Sequence, residues 1–305
     1  MSVDAAVFTR FEAQIKGLKD QAPPVNLTDA ERVQRAKRVM LEKLDSRTAM
    51  DLETCVHCGM CAEACHFYES TQDPKYTPIH KAYLLRKVYK RELSPMRFFH
   101  RLFLREITAA QLEQWQELVF NSCTECGRCD MMCPMGINIS KAIGISRAAL
   151  NAVGYASAEL RAVEEEQSKR GTLFGIGAKE LEAAVAELRS RGLTVPLDKP
   201  KAEVMVLTTA MDLVLFKDAF AATARILNKL GVDWTLQRTA FEATNFGMMS
   251  GDRAGQALES KSIVTAATAC GAKIVITPEC GHAYPALRWE AANALGQPLP
   301  FEVMA

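Results

Sequence analysis

Along the chain the hydrophobic positions follow two different periods, and the change from one to the other falls near Lys201. Before it, apolar residues recur at three- and four-residue spacing between recognisable helix caps. Thr28 and Glu31 form a capping box ahead of VQRAKRVMLEKL, and Thr108 with Gln111 does the same for TAAQLEQWQELVF. Thr77 and Pro78 open YTPIHKAYLLRKVYKREL as N-cap and first helical residue. Ser140 is placed to cap a helix through SKAIGISRAALNAV that stops at Gly154. Residues 155–200 are polar and helical, with ELRAVEEEQSKRG and AKELEAAVAELRSRG on either side of a joint at Gly171 to Gly177. From Lys201 the runs EVMVLTT, DWTL and KIVITPE read as buried strands between helix-like LVLFKDAFAATARILNKLG and AGQALESKSIVTAATACG. A further helix, AYPALRWEAANALG, leads to PFEVMA. This alternation predicts a parallel sheet with helices on both faces and a ligand site at the carboxyl ends of its strands. The expected organisation is a helical domain over 1–154, a helical linker over 155–200 and an α/β domain over 201–305.

A chain of 305 residues that is 49% hydrophobic can bury two such cores. With 37 basic against 36 acidic residues there is no global field to attract nucleic acid, so none is expected as a partner. The stretch MSVDAAVFTRFEAQIKGLKD lacks the basic start and apolar run of a secretory signal, and runs such as MDLVLF are too short to span a bilayer. A cytoplasmic location is expected, with any membrane association made through a partner subunit. In that compartment the ten cysteines point to metal rather than to disulfides.

Eight of those ten fall into two copies of one pattern, CVHCGMCAEAC from Cys55 to Cys65 and CTECGRCDMMCP from Cys123 to Pro134. Each reads CxxCxxCxxxC, the spacing of a bacterial-ferredoxin-type [4Fe–4S] motif. Thiolates are soft, anionic donors that suit iron. In two-cluster proteins of this type the fourth cysteine of one motif ligates the other cluster. Cys55, Cys58, Cys61 and Cys133 are therefore expected to hold one centre, and Cys123, Cys126, Cys129 and Cys65 the second. Gly59 and Gly127 each follow the second cysteine, where a residue without a Cβ lets backbone amides approach the cluster sulfides. The competing reading is two zinc sites, but zinc ribbons pair two CxxC knuckles across a longer loop. His57 reads as a neighbour of the first centre rather than a ligand, and His66 replaces the proline that follows the second motif. The first domain thus reads as an α-helical two-cluster ferredoxin domain.

Residues 83–105, YLLRKVYKRELSPMRFFHRLFLR, concentrate basic and aromatic side chains. They are either a solvated basic face that compensates anionic clusters, or a docking surface for a membrane subunit or an acidic electron partner. In the α/β domain, PECGHAY places Cys280 and His282 just after a strand, which makes them candidates for a thiol-exchange or ligand role. Glu279 and Asn245 are weaker candidates for the same pocket, and Cys270, at a helix end before Gly271, reads as structural. No GxGxxG follows a strand and no GxxxxGK[ST] is present, so nucleotide binding has no support.

A helical two-cluster ferredoxin domain followed by an α/β cysteine-rich module resembles heterodisulfide reductase, in its fused C-plus-B or D-type subunit. Within that group FEATNFGMMSGD and ITPECGHAYPALRWE look most like DsrK, the iron–sulfur subunit of the Dsr electron-transfer complex. The resemblance runs from Thr28 onward, and only these two phrases narrow it, because the ferredoxin motifs are shared widely. It implies electron transfer from a quinone- or haem-linked partner, through two [4Fe–4S] clusters, to a site that reduces or forms a disulfide-type sulfur bond. The implied partners are a membrane cytochrome b-type or flavoprotein subunit and a small cysteine-containing sulfur carrier. The chain departs from the family pattern where Ala243, Thr244 and Asn245 occupy a paired-cysteine CCG step and where Ala283 closes the CxxC-like pair begun by Cys280. A third, noncubane cluster would need ligands from outside this chain, either beyond Ala305 or from a partner subunit; otherwise the module is a degenerate half copy. Two further readings remain at this level: the iron–sulfur subunit of a flavin-linked glycolate or lactate dehydrogenase, and a pure electron wire and scaffold.

Overall fold

The computed structural model describes residues 9, 12–13, 16–22, 24–277 and 280–305. The chain forms two compact units, one of Pro23–Ser157 with Ser250–Asp252, the other of Ala158–Met249 and Arg253–Ala305 with the N-terminal residues up to Ala22.

The first unit is helical. Helix α1 (Asp29–Lys43) begins at the expected capping box, in which Glu31 accepts from the Thr28 backbone N–H at 2.8 Å. Then follow α2 (Ser46–Thr54), α3 (Met60–Glu63), α4 (His66–Thr71), α5 (Pro78–Lys81), α6 (Tyr83–Glu92), α7 (Arg97–Phe103), α8 (Ala109–Gln116), α9 (Arg128–Met131) and α10 (Ile139–Ala152). Two expectations are corrected here. The helix foreseen from Pro78 through Leu93 breaks at Ala82, where the Lys81 carbonyl accepts the Trp115 indole N–H at 3.0 Å. The cap of α10 is Asn138, which accepts from the Lys141 N–H at 2.8 Å, because the Ser140 hydroxyl is engaged by Asp130. Helix α10 is buried on every side, from Ile139 and Ile143 to Leu150, and packs against Ala36 and Met40 of α1. A helix apolar all round belongs at the centre of its unit.

The second unit carries a four-stranded sheet in the order β2-β1-β3-β4, every neighbour parallel, with β1 (Val204–Val206), β2 (Trp234–Thr235), β3 (Ile274–Ile276) and β4 (Glu302–Met304). Successive strand residues point to opposite faces. Val204 and Val206 accordingly join one core with Phe220 and Ala224, while Met205 joins another with Ile263, Val275 and Leu287. The faces are covered by α13 (Ala210–Val214) and α14 (Lys217–Lys229) on one side and by α15 (Arg253–Ala269) on the other.

Residues 155–200, expected as a linker, are instead part of this unit. Ala158–Arg170 and Ala178–Ser190, helices α11 and α12, place Val163, Leu181, Val185 and Leu188 in the same core as Val204 and Trp234. The polar residues that suggested a linker lie on their outer faces. Within the joint at Gly171 to Gly177, Leu173 and Ile176 bond to one another through their backbones and are buried, so this segment is a packed turn rather than a hinge.

Candidate metal centres

The two cysteine motifs fold into the same backbone shape. His57 and Gly59 in the first, and Glu125 and Gly127 in the second, all take left-handed backbone angles, with φ of 57°, 85°, 52° and 70°. Each glycine then starts a short helix, α3 or α9, that carries the third cysteine. Alternating handedness turns successive amides to the inside of the loop, an arrangement that favours an anion. In the second loop the Glu125 amide donates to Cys123 Sγ at 3.4 Å. A Cβ on Gly59 would meet nothing within 4 Å, so the glycine answers the backbone angle rather than a shortage of space.

The loops frame two cavities. One, of about 360 Å³ including its mouth, is lined by Cys55, Cys58, Cys61 and Cys133 with Ile79, Ile137 and Ile139. The other, of about 390 Å³, is lined by Cys65, Cys123, Cys126 and Cys129 with Phe67, Pro78 and Ile143. Each cavity therefore takes three thiols from one motif and the fourth from the other. After the fourth cysteine the motifs diverge. Cys65 is the N-cap of α4, which His66 begins, whereas the chain after Cys133 closes a turn in which the Gly136 N–H donates to the Cys133 carbonyl.

The donor set fits a cubane cluster better than a zinc ion. Among the described residues no three Cys, His, Asp or Glu side chains converge closely enough to hold a single metal ion. A mononuclear zinc site draws four sulfurs to about 2.3 Å from one point. Four thiols spread around a largely apolar cavity suit a cube, each of whose irons takes one thiolate. Burial pushes the Cys61, Cys123 and Cys129 thiols up, so without a bound metal they keep their protons, and iron must displace them. His57 lines the mouth of the first cavity, and its pKa is lowered by burial and by Arg86.

Charged groups that the sequence did not single out surround the second cavity. Glu125 and Arg147, both buried, form an ion pair at 3.2 Å, and Arg147 also donates to the Val119 carbonyl at 2.6 Å and to that of Cys123. Lys81, also buried, lines the cavity. No motif announces these residues; they stand inside runs that read as ordinary helix or loop.

In the α/β unit a larger cavity, of about 1360 Å³ with its mouth, opens at the carboxyl ends of β1, β3 and β4. Its wall includes Thr208, Thr209, Asp212, Thr223, Thr244, Thr277 and Cys280. Asp212 accepts from the hydroxyls of Thr208 and Thr209 at 3.2 and 2.9 Å. The T-T-x-x-D sequence after a strand is a capping signal that could have located this wall. His282 begins a short turn of helix and is not on the wall. Asn245 is buried elsewhere, donating to the Gln256 carbonyl at 3.1 Å and accepting from the Met248 N–H at 2.9 Å. Glu279 lies outside the described residues. Cys270 is buried at the end of α15, its thiol donating to the Ala267 carbonyl.

The basic segment 83–105 turns most of its charge inward. Lys87 donates to Gln111 at 3.0 Å, Lys90 pairs with Glu53, and Arg101 pairs with Glu92 at 2.6 Å. Phe98, Phe99, Leu102 and Phe103 of α7 are left exposed instead. No helix among the described residues is long and apolar enough to cross a membrane.

Comparison with known proteins agrees with this arrangement. Residues 51–137 match the 4Fe-4S dicluster domain. The chain is 29% identical over 248 residues to the Hdr-like menaquinol oxidoreductase iron-sulfur subunit 2 of Archaeoglobus fulgidus, covering 76% of this chain and 44% of that protein. It is 27% identical over 267 residues to the D-type subunit of the dihydromethanophenazine:CoB–CoM heterodisulfide reductase of Methanosarcina acetivorans, covering 84% of this chain and 61% of the relative. The chain thus spans less than half the length of the first of these relatives. No solved structure matches it. The chain is a homologue of Hdr-like menaquinol oxidoreductase and heterodisulfide reductase iron–sulfur proteins, and carries their type of 4Fe–4S dicluster domain.

Proposed function

We propose that this chain is an iron–sulfur electron-transfer subunit of a heterodisulfide-reductase-like complex, with one [4Fe–4S] cluster on Cys55, Cys58, Cys61 and Cys133 and another on Cys123, Cys126, Cys129 and Cys65. The observation that carries the reading is the pair of thiol-ringed cavities, each completed by the last cysteine of the opposite motif. Bound clusters supply one-electron redox chemistry. The chain's own residues exclude water with Ile79, Ile137, Ile139 and Ile143 and leave Cys58 and Cys126 exposed, so that electrons can enter or leave at those edges. Electrons would pass between a quinone- or haem-linked partner and a disulfide-type sulfur substrate. The relatives' names, one from a menaquinol oxidoreductase and the other from a heterodisulfide reductase, support these two ends.

The sulfur-side terminus of this path is the cavity at the strand ends, with Cys280 as its single thiol. Thr244 shares that wall, so the position of the missing paired-cysteine step and Cys280 face one space. One thiol cannot hold a multi-iron cluster, and a third cluster there would need ligands from outside these residues. The phrases FEATNFGMMSGD and ITPECGHAYPALRWE extend the reading to a DsrK-like role in sulfur metabolism. The exposed apolar face of α7 offers a docking place to a membrane-bound partner.

Anaerobic iron and sulfide analysis with EPR tests the core of this reading. Two magnetically interacting [4Fe–4S] clusters are expected, and a protein that takes up only zinc would end it.

A further inference from the structure

The two cavities differ in the charges around them. The wall of the first contains no Lys, Arg, Asp or Glu, whereas that of the second contains Lys81, Glu125 and Arg128. Glu125 is matched by its ion pair with Arg147. Arg128 is exposed, and its field is weakened by water. Asp130 accepts from the Ser140 N–H at 2.9 Å and from the Ser140 hydroxyl, and Cys129 Sγ lies 3.5 Å from it.

Lys81 is of another kind. It is only 1% exposed, and no carboxylate pairs with it among the described residues. Its Nζ donates to the Ser122 carbonyl, lies 3.6 Å from Cys65 Sγ and sits 5.0 Å from the centroid of the Phe67 ring. Cys65 Sγ is also 3.6 Å from the Tyr76 carbonyl, a contact that only a protonated thiol can make. Once iron displaces that proton, the Lys81 contact is the favourable one that remains. A buried ammonium without an anionic partner costs several kcal/mol. An anionic centre in the cavity that Lys81 lines would offset this cost.

We propose that Lys81 is a positioning residue that raises the reduction potential of the centre held by Cys65, Cys123, Cys126 and Cys129. Reduction adds one negative charge to a centre already negative, and a fixed cation in a poorly screened site favours the added electron. A hydrogen bond to a ligand sulfur acts in the same direction. The first cavity has no such group on its wall, so Lys81 acts on one centre far more than on the other.

This inference rests on the two-cluster reading, and the test separates the two. Iron and sulfide analysis of the unaltered protein comes first, since fewer than two clusters there would sink the parent reading. Midpoint potentials are then read by EPR-monitored redox titration in the unaltered protein, Lys81→Met and Lys81→Arg, with the second centre identified as the signal lost in Cys126→Ser. In Lys81→Met the electron affinity of that centre is expected to fall at least tenfold, about 59 mV for a one-electron couple. The other centre should stay within threefold, and Lys81→Arg should keep both within threefold. Two clusters with unmoved potentials in Lys81→Met, or equal shifts of both, would overturn the role of Lys81 alone. Should Lys81→Met fail to take up the second cluster, Lys81→Arg decides. A retained cluster with a potential near the unaltered value supports the charge, and its loss makes Lys81 a packing residue and overturns the proposal.

Discussion

Cys133 shares a cavity wall with Cys55, whereas Cys129, only four residues before it, lines the other cavity. The α9 turn sends the third and fourth thiols of one motif in opposite directions, and α3 does the same for Cys61 and Cys65. Cysteine substitutions should therefore sort by cavity and not by motif. Cys133→Ser is expected to leave the same residual EPR signal as Cys58→Ser, and Cys65→Ser the same as Cys126→Ser. A Cys133→Ser spectrum that matches Cys126→Ser would refute the crossed assignment.

Gly59 has φ of 85° with open space around its α-carbon. An alanine there meets no neighbour but must hold a left-handed backbone, which costs about 1–2 kcal/mol. Gly59→Ala should lower thermal stability by about that amount, measured anaerobically, while iron content stays unchanged. A neutral effect on stability would mean that the loop relaxes out of this conformation.

Two acidic groups in the α/β unit give stability a pH dependence. Burial raises Glu242 to about 7, although it accepts from the Ala210 and Thr244 amides at 2.7 and 2.8 Å, and burial together with Glu242 raises Glu259 to about 7. Both folded values lie above the ordinary carboxyl value of 4.5. The stabilising contribution is thus fully present below about pH 4.5 and is lost as the pH rises through about 7. Glu259→Gln removes one of the two charges without touching the amide contacts of Glu242. Its thermal midpoint should exceed that of the unaltered protein at pH 8 and equal it near pH 5. A difference independent of pH would show that these carboxyls are not the cause.

The apolar face of α7 is open to a direct test. Phe98 and Phe103 are 70% and 82% exposed, so replacing them removes no core. Phe98→Asp with Phe103→Asp should leave both clusters and the thermal midpoint in place while weakening copurification with a membrane-bound partner at least tenfold. Unchanged copurification would move the docking site away from α7.

Cys280 is tested by separating the wire from its terminus. In an assembled complex Cys280→Ser should keep both cluster signals and lose most turnover with a disulfide substrate. Full turnover would reduce the α/β unit to a scaffold.

The repeated CxxCxxCxxxC spacing made the eight thiols and their crossed pairing legible in the sequence, because ligand spacing is a local property. The strand runs around Met205 and Val275 were legible for a similar reason, since β-branched clusters between glycine-ended helices have few other uses. Lys81 was not legible. Whether a lysine three residues into a helix faces water or a cavity depends on Trp115, which takes the Lys81 carbonyl and breaks the helix there. The 155–200 segment misled because its outer faces are charged, and composition averages over the inward Leu181 and Leu188. His282 stands two residues from Cys280, and nearness in sequence said nothing of which side of the turn it would take.

The crossed thiols have a consequence for the lifetime of the protein. With both cavities filled, Cys55–Cys61 is fastened to Cys133 and Cys65 to Cys123–Cys129, on either side of the helices α5 to α8. Such fastenings restrict the unfolded chain as disulfides do, closing long loops that would otherwise be free. Oxidative loss of one centre cuts a staple that both ends of the unit rely on, so exposure to oxygen would be read out as susceptibility to proteolysis as well as lost electron transfer.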